Sequence, residues 1–283
     1  MAAESKSYDM LVDADVYIDN VDGNDDMARM TGRFPFKTLD AAAEYLDAKG
    51  DNFRFHFLSP GEYTWTMRVM VGAVVHFFSD CAKSKGDVTV KLNNKSPNGG
   101  TFFYDTHLNL TGTDANPMRL SALQYVEIEG GTLWTVGRAK FDCSYLYLID
   151  GSGMLRHIEM ERGYILGKFG NAVVEDVVIR NVEKHSAFDW TSGVVRIQGD
   201  GLKVARNPNG ASVPAVVLKS CVSNLNAKCG GHPSLTANTG YSKFLDAYSG
   251  VTQVTDAVLK KLDALGAAKC SVGGLRVNGS ASV

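Results

Sequence analysis

The segment VVEDVVIRNV, Val173 to Val182, sets Val177 and Ile179 two positions apart and then reaches Asn181, a residue that tolerates a tight corner. Similar apolar pairs recur on both sides of it. Val126 and Ile128, Leu146 and Leu148, Val195 and Ile197, and Val217 with its neighbour Leu218 follow at roughly 20-residue spacing, with an extra strand-like stretch around Ile158. Between them lie Gly130-Gly131, Gly151-Ser152-Gly153, Gly170-Asn171, Gly201 and Asn209-Gly210, which suit left-handed backbone angles. No helical periodicity separates the pairs, so the chain reads as strand and corner in alternation, wound on itself.

Such coils have to stack. A coil of ~20 residues that buries three or four aliphatic side chains gains about 5 to 10 kcal/mol, whereas ordering its backbone costs at least ~20 kcal/mol. Parallel ladders to the coils above and below supply the missing hydrogen bonds and complete the interior, and each end then needs a cover. The expected fold is all-β: a single right-handed parallel β-helix with its body at residues 53–240.

On the N-terminal side, residues 1–52 read as entry strand, acidic loop and capping helix. Apolar and polar residues alternate from Tyr8 to Asn20, with Val12, Val16 and Ile18 on the apolar side, and Asp22-Gly23-Asn24-Asp25-Asp26 follows as a turn-rich loop. Thr38 is a good N-cap, and Leu39, Ala42, Ala43 and Leu46 form the apolar stripe of a helix ending at Lys49 and Gly50. Phe53, Phe55 and Phe57 then alternate strictly before the turn Ser59-Pro60-Gly61. At residues 241–283, Val254, Val258, Leu262 and Leu265 predict a C-terminal helix with Asp256 and Lys260 on its wet side, followed by a small, polar tail.

The bulk composition agrees with a folded β protein. Of 283 residues 45% are hydrophobic and 21% charged, and 29 Gly stand beside only 7 Pro, which favours short strands and tight turns. A net charge of -2 without like-charge blocks gives no footprint for nucleic acid or anionic lipid. No apolar run reaches the ~20 residues of a membrane span and no signal peptide is visible, so synthesis and assembly in a cytoplasm are expected. Five scattered cysteines, Cys81, Cys143, Cys221, Cys229 and Cys270, read as reduced thiols.

The run VYIDNVDGNDDMARMTGRFPFKTLDAAAEYL, Val16 to Leu46, resembles the entry segment of pectate-lyase-like β-helices common in bacteriophage tail spikes and fibres. The shared features are a strand, an acidic Gly/Asn loop, an aromatic-Pro-aromatic-Lys-Thr step and an Ala-rich helix. VVEDVVIRNV is similar to the rungs of those proteins, where an Asn such as Asn181 stacks its amide at a corner. The resemblance implies a homotrimeric virion component: a tail fibre, a tail spike or a capsid-surface protein that attaches to host surface glycans beside other virion proteins. Family members that cleave polysaccharides are much longer, with a particle-binding head and a C-terminal trimerisation module; neither is evident here. The alternative is nevertheless a depolymerase, either lyase or glycoside hydrolase, and a non-viral surface adhesin stands third.

Acidic side chains are the first place to seek chemistry, because β-helix enzymes cleave glycans with two or three acids on one face or with Ca²⁺ and a base. Asp150, Glu159, Glu161, Glu175, Asp176, Glu183 and Asp189 lie in the coil region; Glu159 and Glu161 share a side of their strand, and Glu175 joins them if a neighbouring coil brings it there. Solvated acids on any soluble β-helix would look the same. Asp22 to Asp26 lacks the periodic oxygens of an EF-hand, Cys221, Cys229 and His232 lack a fourth ligand, and His185, Ser186 and Asp189 lack a nucleophile elbow. No metal and no cofactor is expected. Trp134, Tyr145, Tyr147, Tyr164 and Trp190 form the second candidate set, for stacking on sugar faces or for a subunit interface.

Overall fold

The computed structural model describes residues 14–47, 50, 52–66, 70–93, 101–182, 185–206, 216–225, 245–248, 251–255, 270–272 and 275–278. Its strands pair in parallel and form three walls of one parallel β-helix. Wall A begins with Ala14–Ile18, Asn52–Phe57, Val74–Ser79, His107–Thr111 and Thr132–Val136. Wall B begins with Gly61–Trp65, Val88–Leu92, Met118–Ala122 and Ala139–Asp142. Wall C begins with Met70–Val71, Thr101–Tyr104, Tyr125–Glu129 and Tyr145–Ile149. Farther up, the strands Ser152–Met160, Tyr164–Val182 and Phe188–Arg206 bend through the corners and serve two or three walls each. Val216–Leu225 continues walls C and A, which are extended by Leu245–Tyr248 and Val251–Thr255 and then by Cys270–Val272 and Leu275–Asn278.

The corner from wall C to wall A repeats one backbone state. Gly72, Asp105, Gly130, Asp150, Phe169, Ser192 and Ser220 all have φ between 49° and 71°. After four of them comes a glycine with no room for a side chain. A Cβ on Gly131 would lie 2.0 Å from the Thr106 carbonyl oxygen, on Gly151 2.5 Å from that of Gly131, on Gly170 1.8 Å from that of Gly151, and on Gly193 1.8 Å from that of Gly170. The coils approach so closely because the backbones bond there: Ser152 and Asn171 donate N–H to Gly131 and Gly151 at 3.0 Å each.

Alternation about this corner fills the interior. Val126, Leu146, Ile165, Phe188 and Val216 stack inside wall C, Ala139, Ile158, Val177 and Leu202 inside wall B, and Leu108, Leu133, Gly153, Ala172 and Val195 follow one another inside wall A. The apolar pairs therefore belong to three different walls: Val177 and Ile179 to B, Val195 and Ile197 to A, the others to C. Val217 is a correction, since it is half-buried and points outward while Val216 and Leu218 point in.

At the N-terminal end the interior is aromatic, with Phe55 stacked on Phe77 at 5.6 Å and Trp65 edge-on to both. Helix α2, Leu39–Asp47, caps this end with Leu39, Ala41, Ala42 and Leu46 buried, and Thr38 Oγ1 accepts the N–H of Ala41 at its start. The supposed acidic loop is partly a second helix, α1, Asp25–Thr31, capped by Asn24. Val254 lies in a strand, and the rest of the expected C-terminal helix, from Asp256 to Leu265, falls outside the described residues, as do Val12, Lys49, Asn209 and Gly210. Gly170→Ala is expected to destabilise the protein by at least about 3 kcal/mol because the Cβ meets backbone. Gly72→Ala, with open space around it, should lose only about 1–2 kcal/mol through its φ of +69°, and urea midpoints compare the two.

Candidate functional site

The walls share an interior type but differ outside. Wall B and its rims are charged and paired: Lys91 with Glu62 at 2.6 Å, Arg119 and Lys140 with Asp87 at 2.7 and 2.9 Å, Arg138 with Glu159, and Arg180 with Glu161 at 3.8 Å. Of the large hydrophobic side chains left exposed on the coils, Tyr17, Trp134, Val136, Val194 and Val222 lie on wall A, Val71 on wall C, and Leu123 and Phe169 at corners. Among the described residues none sits in a wall B strand.

Outside wall C the register aligns two columns. The first is an aromatic ladder: Tyr125 stacks on Tyr145 at 4.7 Å and 7°, Tyr145 on Tyr164 at 5.5 Å, and Tyr164 meets His185 at 4.4 Å. Phe102 stands edge-on below Tyr125 at 5.4 Å. Tyr125, Tyr145 and Tyr164 lie face to face in turn, so these three offer ring edges and phenol hydroxyls, rather than ring faces, to a ligand beside them. The second column runs Phe102, Glu127, Tyr147, Leu166, Asp189 and Val217. Burial among these neighbours pushes the Glu127 carboxyl up, and Glu129 adds repulsion. Burial likewise raises Asp189, against the partial opposition of Lys219. Tyr147 rises through burial and through the two carboxyls on either side of it.

Several candidate residues are placed differently from the sequence reading. Trp190 is fully buried, stacked on Phe188 at 5.6 Å with its indole N–H donated to Gly170 at 3.1 Å, so it meets no external ligand. Gly167 makes the space, because a Cβ there would lie 2.0 Å from the indole. Trp134 is exposed, but on wall A. Tyr145, Tyr147 and Tyr164 do come together on wall C.

The acids do not. Glu159 belongs to wall B beside Arg138, Glu161 lies by Arg180, and Glu175 belongs to wall A, 3.1 Å from Arg156. Of the residues considered for a triad or a zinc site, His185 packs tilted against Tyr164 and Cys221 is buried, while Cys229 and His232 lie outside the described residues. Cys143 is a buried thiol pushed up to about 12 by desolvation. In the acidic segment Asp25 Oδ1 accepts the N–H groups of Lys37 and Thr38 at 2.7 and 3.0 Å, and Asn24 Oδ1 accepts the N–H of Met27 at 3.0 Å. Glu183 and the side chain of Asn181 are not described. Among the described residues no group of three or more His, Cys, Asp or Glu is placed to hold a metal, and no helix is long and apolar enough to cross a membrane.

Sequence reasoning missed Glu127, Glu129 and Tyr125, although a signal was present. In YVEIE, Val126 and Ile128 point inward, which leaves the other three outward. No known protein family matches the chain, and no curated protein or solved structure does.

Wall B supplies a pH test. Burial alone would raise Asp87, but hydrogen bonds and charges from Arg119 and Lys140 outweigh it and hold its pKa below 3.8. A group depressed on folding stabilises the protein above its unfolded pKa, and that contribution disappears as pH falls through the folded value. Asp87→Asn is expected to cost about 1–2 kcal/mol at pH 7 and progressively less below pH ~4, read from denaturant midpoints across pH.

Proposed function

We propose that the chain is a structural, non-enzymatic β-helix protein of a bacteriophage particle, homotrimeric, carried on a tail fibre, tail spike or capsid surface, and attached to host surface glycan through its tyrosine ladder. The observation that carries this reading is the outward column Tyr125, Tyr145, Tyr164 and His185. A polysaccharide laid along the axis meets one phenol per coil at the ~4.8 Å strand spacing, and the rings are already fixed by stacking, so little side-chain entropy is lost on binding. Support for the particle setting comes from the resemblance of Val16 to Leu46 to phage β-helix entry segments. The candidate acids Glu159, Glu161 and Glu175 are divided between walls and lie beside arginines, which favours the non-enzymatic choice.

The depolymerase reading is favoured by one observation. Glu127 and Glu129 project from the same face two residues apart, about 6.6 Å, close to the span of an inverting acid and base. Incubation with a panel of bacterial surface polysaccharides separates the two. Binding without release of oligosaccharides is expected, Tyr145→Phe should weaken it about fivefold through one lost hydrogen bond, and Tyr145→Ala should weaken it further by opening the stack. Oligosaccharide release that Glu127→Gln abolishes would replace this proposal with the enzymatic one.

A further inference from the structure

We infer that a second copy of this chain lays its wall A against wall C of the first, with the two helix axes parallel and equivalent coils at one height. This rests on the homo-oligomeric reading above and names its contact. The middle outward column of wall C reads Glu127, Tyr147, Leu166, Asp189, and that of wall A reads Trp134, Met154, Val173, Arg196. Each coil contributes one member to either column, and each such pair is chemically matched. Trp134, about half exposed at 48%, has an indole N–H without an acceptor among the described residues, and Glu127 is an acceptor. Met154 offers a thioether to the Tyr147 ring, and Val173 meets Leu166 as aliphatic to aliphatic. Arg196 is exposed and makes no ion pair among the described residues, and Asp189 is a half-buried acid between Leu166 and Val217 in its column, with Lys219 of its own chain nearby.

Register follows from the same columns. Sliding one copy up by a coil sets Val173 against Asp189 and Arg196 against Val217, and sliding it down sets Met154 against Glu127 and Arg196 against Leu166. Either slip leaves a desolvated charge facing an apolar side chain. Direction follows from closure. Reversed copies would match similar side chains, but a half-turn relation is isologous and has to place A on C and C on A within one contact. Parallel copies use each wall once and close as a ring, of which three is the smallest.

Two further features agree. The paired charges of wall B would face solvent in such a ring. At the corner joining walls C and A, Phe169 holds its ring 57% exposed at φ +61°, an uncommon backbone state for a bulky residue, at the place where copies converge.

The test uses the full chain. Light scattering should find a trimer at micromolar concentration. Asp189→Arg and Arg196→Asp should each weaken assembly at least ~30-fold without loss of the β circular dichroism signal, and the double exchange should restore assembly to within about tenfold. Should a single exchange fail to fold, cysteine pairs decide: Tyr147→Cys with Met154→Cys should give covalent trimers on oxidation, and Tyr147→Cys with Val173→Cys should not. Assembly that ignores the charge exchanges, or cross-linking through the second pair alone, overturns this contact and leaves the homotrimer standing. A wild type that remains monomeric removes both.

Discussion

The constraint on which the rest depends is the backbone contact at the corner between walls C and A. Successive coils touch there carbonyl to α-carbon, and the column Gly131, Gly151, Gly170 and Gly193 exists because even a methyl group would push them apart. A left-handed residue precedes each of these glycines, so these four coils leave the corner in the same phase. Since side chains alternate sides, fixing the phase at one corner decides which residue faces in along the strand that follows. The continuous aliphatic stack and the differences between the outer walls are both consequences of that repeated setting.

Parts of this were legible because they depend on local chemistry. Thr38 caps a helix wherever an Ala-rich stripe follows, and paired glycines turn corners, so the cap and the coils could be read from residues alone. Helix α1 is hidden in the sequence although Asn24 and the following Asp25 and Asp26 are start signals, because seven residues give too little periodicity to outweigh a turn-rich composition. The apolar pairs announced coils, but alternation is the same on every wall, and nothing local assigns Val177 to B and Val195 to A. The slip at Val217 has the same origin: its neighbour Val216 is equally apolar, and only the ladder to Phe188 sets the parity.

The candidate site was less legible because its members are joined by register across coils. Glu159 and Glu175 are close in sequence, yet Glu159 follows the corner from wall A to wall B at His157, whereas Glu175 precedes the same corner, at Asp176, in the next coil. Tyr125, Tyr145 and Tyr164 are as far apart in sequence as neighbouring coils allow and nevertheless stack. Trp190 shows the opposite error. Its size suggested a surface platform, but Phe188, Asp189 and Trp190 alternate as strictly as any strand, and Gly167 in the coil below has given up its side chain to admit the indole.

Because the interior is alike on all three walls, selection for a task can act only on the outward parity. Wall B answers with ion pairs formed within one chain; the exposed ones, Lys91 with Glu62 and Arg180 with Glu161, add little stability and keep the wall wet. Walls A and C also carry Trp134, Tyr147, Leu166 and Val194 at positions where a lysine or serine would fit the strand equally well, on wall A beside the ion pairs of Arg54 with Asp15 and Arg156 with Glu175. Large side chains left facing outward in adjoining columns lose hydration on either side of a single thin corner, and a surface of that shape is best relieved by another flat, ribbed wall. The two walls available with that form are the chain's own, and the ladder of tyrosines, set toward wall B, is the part of wall C that such a neighbour covers last.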